Sequence, residues 1–323
     1  MIARAALLAA AALLCAACGG GDEAAAPEKH LVFARGAWIW IADADGRNAK
    51  RLVRGTYPLV SPDGERVAYG ARGGIHVANA EGKESDLVSP GRLEDWLPDS
   101  ERLLAWQDGL VVIDAADGDV EPVVPRLDRE RVYGLDLSPD GKWVAYGLAR
   151  RLTRWGILRD RMDIHVVAIT GGTPKRITKD GLSAWPVWSG AEIIFSRLPR
   201  GDRLAPGVWR MDADGTDVSA IVARAPLRYS RNGFYGFRPY FVDGDRTIIG
   251  LRTEWGDRGA VLGKDGSLRQ LGLHVVHVSS DGRYVLGYQG GAEFPFTVRI
   301  APVDGGEPTT VAKGEITWEH WNR

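Results

Sequence analysis

Cysteine is nearly absent. The 323 residues hold two, Cys15 and Cys18, both close to the N-terminus. The remainder therefore has no disulfide to staple it, and its stability rests on a packed core. About 290 residues after the leader are enough to bury a large one. Lysine is scarce as well: there are 8, against 33 arginines, while the net charge is only −1. That bias suits a GC-rich genome. Beyond residue 17 no apolar run is long enough to cross a bilayer as a helix. Signatures of catalysis are missing too, with no Gly-x-Ser-x-Gly, His-Glu-x-x-His or phosphate loop. Ser230, in Arg228-Tyr229-Ser230-Arg231-Asn232-Gly233, lacks the first glycine of a nucleophile elbow and reads as a polar loop serine.

What is present begins with a leader. Met1 to Arg4 make a short positive start, and Ala5 to Ala17 is an almost unbroken apolar stretch. It is long enough for a signal-peptide core and too short to span a membrane comfortably. Small residues precede Cys18, and Gly19, Gly20, Gly21 and Asp22 follow it. This arrangement resembles a bacterial lipoprotein cleavage site, although Cys15 stands where that family usually has leucine. The resemblance implies a signal peptide over 1–17, a lipid on Cys18 and a flexible tether over 18–29. The expected location is extracytoplasmic and membrane-anchored.

The rest is a repeat. Ser61-Pro62-Asp63-Gly64 precedes Arg66-Val67-Ala68-Tyr69-Gly70, and Ser138-Pro139-Asp140-Gly141 precedes Trp143-Val144-Ala145-Tyr146-Gly147. Looser copies lie at Leu97-Pro98-Asp99-Ser100 and Ser279-Ser280-Asp281-Gly282, and eroded ones at Trp188-Ser189-Gly190 and Val242-Asp243-Gly244. Proline presets the first corner of a turn, aspartate bonds nearby amides, and glycine accepts positive φ. The β-branched and aromatic run that follows is a strand. A second hairpin signal, of the type Asp212-Ala213-Asp214-Gly215, recurs seven times. The Asp-x-Asp-Gly copies lack the other ligands of a calcium loop.

The ends complete one unit between them. Leu31-Val32-Phe33-Ala34 matches the strand after the first turn, and Trp318-Glu319-His320-Trp321 matches the strand before it. A ring closed by its C-terminal strand leaves no free sheet edge. The expectation is an all-β chain folded as one β-propeller over 30–323, with seven four-stranded blades of about 42 residues or, alternatively, six. These units resemble the WD40-like repeats of TolB-type propellers, which also form the propeller of prolyl oligopeptidases. The resemblance implies the fold; propellers host many activities. TolB-like proteins carry an extra N-terminal domain and usually six blades, and the oligopeptidases add an α/β-hydrolase domain.

Loops point to function. With strands A to D numbered outward, the A–B and C–D turns share one face and are short. The B–C loops and D–A crossovers share the other, and every long insertion falls there: 125–134, 148–162, 196–207, 223–239 and 251–258. Together these hold 17 arginines, no lysine and 6 acids. Arg150, Arg151, Arg154, Arg159, Arg228, Arg231 and Arg238 are interleaved with Trp155, Tyr229 and Tyr235. Guanidinium forks suit carboxylate or phosphate and stack on aromatic rings. The expected partner is an envelope protein or an anionic cell-wall polymer, not nucleic acid, bound by a monomer. Missing motifs favour a binding module over an enzyme, and the alternative is a hydrolase or lyase acting on an envelope saccharide or peptide at the channel mouth. The innermost strands place Asp95, Asp136, His277 and His320 along the channel. No cofactor is expected, with a channel metal ion as the alternative. Trp38, Trp40, Trp143, Trp188 and Trp209 are expected in packing between blades.

Overall fold

In the computed structural model, residues 30–43, 46–149, 161–197, 207–222, 236–243, 246–253, 256–263, 267–279, 282–289, 297–313 and 316–321 are described. Almost every element is a strand. The first sheet begins with β1 (His30–Arg35), β2 (Trp38–Asp43) and β3 (Lys50–Arg54). The second holds β4 (Thr56–Val60), β5 (Arg66–Ala71), β6 (Gly74–Asn79) and β7 (Asp86–Ser89); the third holds β8 (Arg92–Trp96), β9 (Arg102–Gln107), β10 (Gly109–Asp114) and β11 (Val120–Pro125). A 3-10 turn over Arg129–Arg131 leads to β12 (Val132–Leu137), β13 (Trp143–Ala149), β14 (Met162–Ala168) and β15 (Lys175–Arg176). Next come β16 (Ser183–Ser189), β17 (Glu192–Arg197), β18 (Gly207–Asp212) and β19 (Ser219–Val222). Then follow β20 (Gly236–Asp243), β21 (Arg246–Thr253), β22 (Gly256–Gly263), β23 (Leu268–Val278), β24 (Tyr284–Gln289), β25 (Thr297–Pro302), β26 (Thr309–Lys313) and β27 (Ile316–Trp321).

Five sheets have four strands and one, β20 to β26, has seven. In that last sheet β23 pairs with β22 through its first half, Leu268 to His274, and with β24 through its second, His274 to Val278. Counting β23 in both halves gives seven four-stranded units; counting hydrogen-bonded sheets gives six. The last strand returns to the first sheet, where β27 pairs antiparallel with β1, Trp321 opposite Leu31. The ring closes as the matched ends of the sequence require.

Alternation along the second strand of each sheet builds the core. In β9, Leu103 and Ala105 pack toward β4 and β5, with Leu59 and Ala68, while Leu104 and Trp106 pack the other way onto Val144 and Tyr146. Ile193 and Ile194 divide in the same manner between the neighbours of β17, and Leu31 and Val32 between those of β1. A strand buried on both faces reads as a continuous apolar run, which is why these segments stand out in the sequence. Trp188 is buried at such an interface. Trp143 is not: it is 45% exposed, because the first residue after the turn lies at the rim. Trp40 is half-buried and stacks on Phe33 at 6.3 Å.

The turn motif works through its side chains. The Ser138 hydroxyl donates to Asp140 at 2.7 Å and accepts the Trp143 amide at 2.9 Å, while the Lys142 amide donates to Asp140. Gly141 closes the turn on the Ser138 carbonyl at φ 69°. The Ser61 turn repeats this pattern, and Ser279 repeats its hydroxyl contact to the amide five residues on.

Candidate functional site

Acids predominate in the A–B and C–D turns, where Arg47, Lys83, Lys142 and Arg283 also stand, and arginines predominate on the opposite face, where Asp108 and Asp128 stand beside them. The A–B and C–D turns carry Asp63, Glu65, Glu81, Asp99, Glu101, Asp117, Asp119, Asp214 and Asp304. The opposite face, where first strands begin and second strands end, carries Arg35, Arg54, Arg72, Arg92, Arg126 and Arg129. Asp63, Glu81, Asp99, Asp117 and Asp214 accept hydrogen bonds within their own turns. In Asp99, burial pushes the carboxyl up, but hydrogen bonds from the Arg102 guanidinium and from the Glu101 and Arg102 amides outweigh it and hold it below its usual value. The arginines of the crossover face stand mostly exposed.

On that basic face lies a recess between the first strands of two neighbouring sheets. Its outer part, about 430 Å³, is walled by Thr56, Tyr57, Gly70, Gly73, Gly74, Gly91, Arg92 and Leu93. Glycine is required in the wall. A Cβ on Gly74 would meet the Ser89 carbonyl oxygen at 2.3 Å, and one on Gly91 the Trp106 carbonyl oxygen at 2.6 Å. Both also have positive φ, 145° and 127°. An inner chamber of about 60 Å³ shares Tyr57, Arg92 and Leu93 and adds Leu59, Glu94 and Arg129.

Tyr57 forms part of the bulge of β4, with φ 52°. Gly134 and Trp185 hold the matching places in β12 and β16, at 75° and 50°. Positive φ in an aromatic residue is uncommon and costs about 1–3 kcal/mol. Here it sets the Tyr57 ring across the sheet junction, where the Arg92 guanidinium lies 5.1 Å from the ring centre. Deeper in, the Trp106 indole donates to Glu94 Oε2 at 2.6 Å. Burial pushes the Glu94 carboxyl above its usual value, and Asp95 adds to the rise. The Trp106 hydrogen bond and the charges of Arg129 and Arg92 oppose it without cancelling it.

The residues singled out from the sequence divide. Arg150, Arg151, Arg154, Trp155, Arg159, Arg228, Tyr229, Arg231 and Tyr235 lie outside the described residues, as does Cys18. Arg238 stacks on Tyr240 at 5.0 Å. Asp95, Asp136, His277 and His320 all fall in first strands. Asp95 accepts the Trp96 amide at 2.9 Å. Asp136 Oδ2 accepts the Trp188 amide of the next sheet at 2.7 Å, a stitch between neighbours. His277 sits opposite Leu286, and His320 opposite Val32 in the backbone register. Among the described residues no group of three or more His, Cys, Asp or Glu is placed to hold a metal ion.

Sequence reasoning missed the recess and the meeting of Glu94 with Arg92 and Arg129 in it. Its signal was present: Arg92-Leu93-Glu94-Asp95 puts three charges at the start of an innermost strand, where a core strand should be apolar.

No protein-family model matches the chain, and no curated protein sequence does. Solved structures share its fold. An oligogalacturonate lyase in complex with manganese aligns at TM-score 0.59 and 17% identity, over 80% of this chain and 76% of that one. TolB from Acinetobacter baumannii aligns at 0.51 and 18%, over 92% and 66%. The propeller domain of the Trilobed protease from Pyrococcus furiosus aligns at 0.60 and 16%, over 88% and 93%. The chain has the TolB-like β-propeller fold. The expectation that it is not an enzyme is corrected by these likenesses. A lyase and a protease domain share the fold, and a propeller assembles sites from single residues on separate sheets, so missing linear motifs carry no such conclusion.

Proposed function

We propose that this propeller is an extracytoplasmic, lipid-anchored module that captures an anionic partner on its crossover face. The observation that carries the reading is the separation of charge on a nearly neutral chain. Exposed arginines predominate on the crossover face, and acids predominate on the opposite one. Variable loops on a rigid scaffold are the usual seat of recognition, and complementary charge steers encounter. The leader ending at Cys18 supports an anchored, exported chain, and the partner of choice is an acidic envelope protein or cell-wall polymer. A second reading has its own support. Glu94, a half-buried carboxyl with a raised pKa beside two guanidiniums, has the character of an acid–base group. In that reading the recess turns over an anionic saccharide or peptide.

The test is affinity capture from native envelope with the wild type and with Arg72→Glu/Arg126→Glu/Arg151→Glu/Arg228→Glu. A partner retained by the first and lost by the second is the expected result. Equal recovery from both would overturn the proposal.

A further inference from the structure

The recess permits a narrower statement, which rests on the reading of the crossover face as a binding surface. We infer that the recess between β4 and β8 is a subsite for a ligand bearing a free carboxylate, held at the inner chamber by Arg129 and Arg92, with Glu94 taking up a proton as the ligand binds.

Size comes first. The outer recess, about 430 Å³, falls in the range of small-ligand sites. The inner chamber, about 60 Å³, has room for a small group such as one carboxylate and no more. Charge is next. Two guanidiniums line the chamber, and Arg92 is already oriented by its stack on Tyr57. A planar fork on an aromatic platform is pre-organised for a carboxylate.

The groups around Glu94 then decide the proton. From β9 the Trp106 indole donates to it. From β8 come Arg92 and Asp95, from the 3-10 turn Arg129, and from β4 the chamber walls Tyr57 and Leu59. Asp95 opposes ionisation of Glu94, and burial opposes it more. A ligand carboxylate entering the chamber adds another negative charge at short range. Like charges that close cannot both remain ionised in a poorly solvated site, so the pair shares one proton. Glu94 takes that proton, already favoured by burial, and donates it in a hydrogen bond to the ligand. No covalent bond changes. Binding therefore strengthens as pH falls toward the raised pKa of Glu94 in the free protein, below which the free site already holds the proton.

Calorimetric titration of the whole chain tests this with two pairs of probes: glucuronate against glucose, and an acetylated dipeptide acid against its amide. The two acids separate a saccharide source of the carboxylate from a peptide one. At least one acid should bind while its neutral counterpart does not, and affinity should rise on acidification, by up to about tenfold per pH unit, toward the raised pKa of free Glu94. Arg129→Gln should weaken binding about tenfold or more. Glu94→Gln keeps an acceptor for Trp106 and should bind with little pH dependence. Acid and neutral probes binding alike, neither acid binding, or an undiminished pH dependence in Glu94→Gln would each overturn the inference. The face variant of the preceding section leaves Arg92, Glu94 and Arg129 intact. Loss of envelope capture in that variant with no carboxylate binding would defeat the subsite alone; carboxylate binding with unchanged capture would defeat the broader reading alone.

Discussion

At the scale of single residues, the same side-chain chemistry serves opposite ends. Asp140 and Asp214 lie in exposed turns, where hydrogen bonds from Ser138 and from Thr216 hold their carboxyls below the ordinary value. Such groups stabilise the fold above their unfolded pKa, near 3.8, and lose that contribution as pH falls through the folded one. Glu94 runs the other way. Its folded pKa lies above the unfolded value near 4.5, so the native state holds the proton more tightly and this contribution declines as pH rises between the two. We expect Glu94→Gln to match or exceed wild-type stability at neutral pH and to lose ground to it toward about pH 4.5. Denaturant midpoints across that range check this, and a constant difference would contradict it. Tyr57 belongs here as well. Its strained backbone would be relieved by glycine, as Gly134 shows in the matching place, yet the aromatic ring stays and supports Arg92.

At the scale of the element, β27 decides whether the ring holds. It pairs with β1 along Trp318 to Trp321 and packs beside β4 and β23, so it joins the first sheet to both neighbours. Ending the chain before Ile316 would leave β1 as an open edge on a sheet whose other face is buried. The expected outcome is loss of cooperative unfolding, a midpoint lowered by more than 10 °C for roughly several kcal/mol, and association of the product in size-exclusion chromatography. A monomer with an unchanged midpoint would show that the closure contributes little. The core elements were legible in the sequence because strands such as β5 and β13 are apolar on both faces and follow a turn of fixed chemistry. Bulges were not. The register shifts in β4, β12 and β16 follow from how neighbouring sheets meet, and no local pattern announces Tyr57 or Trp185 as left-handed.

At the scale of the whole molecule, a net charge of −1 conceals a strong asymmetry. Charges of one sign gathered on one face act at long range, and salt screens them over about 8 Å at physiological ionic strength. Capture of an anionic partner should therefore weaken steeply as salt is raised, about tenfold or more between about 50 and 200 mM. The Arg-to-Glu face variant should show little of that slope. Binding that ignores salt in the wild type would place recognition away from the arginines.

The sequence by itself determined the strands, their turns, the repeat, the closure by matched ends and the excess of arginine in the long loops. Each of these is written in neighbouring residues, where periodicity and turn chemistry act locally. Only the tertiary structure decided which charged residues meet. Tyr57, Arg92, Glu94, Trp106 and Arg129 lie on separate strands and a crossover, and packing of one sheet on the next brings them to a single recess. It also gave Asp136 a partner in the next sheet, the Trp188 amide. The reason is geometric: contacts between sheets depend on twist and bulges summed over whole units, and a residue's neighbours in the chain do not encode them.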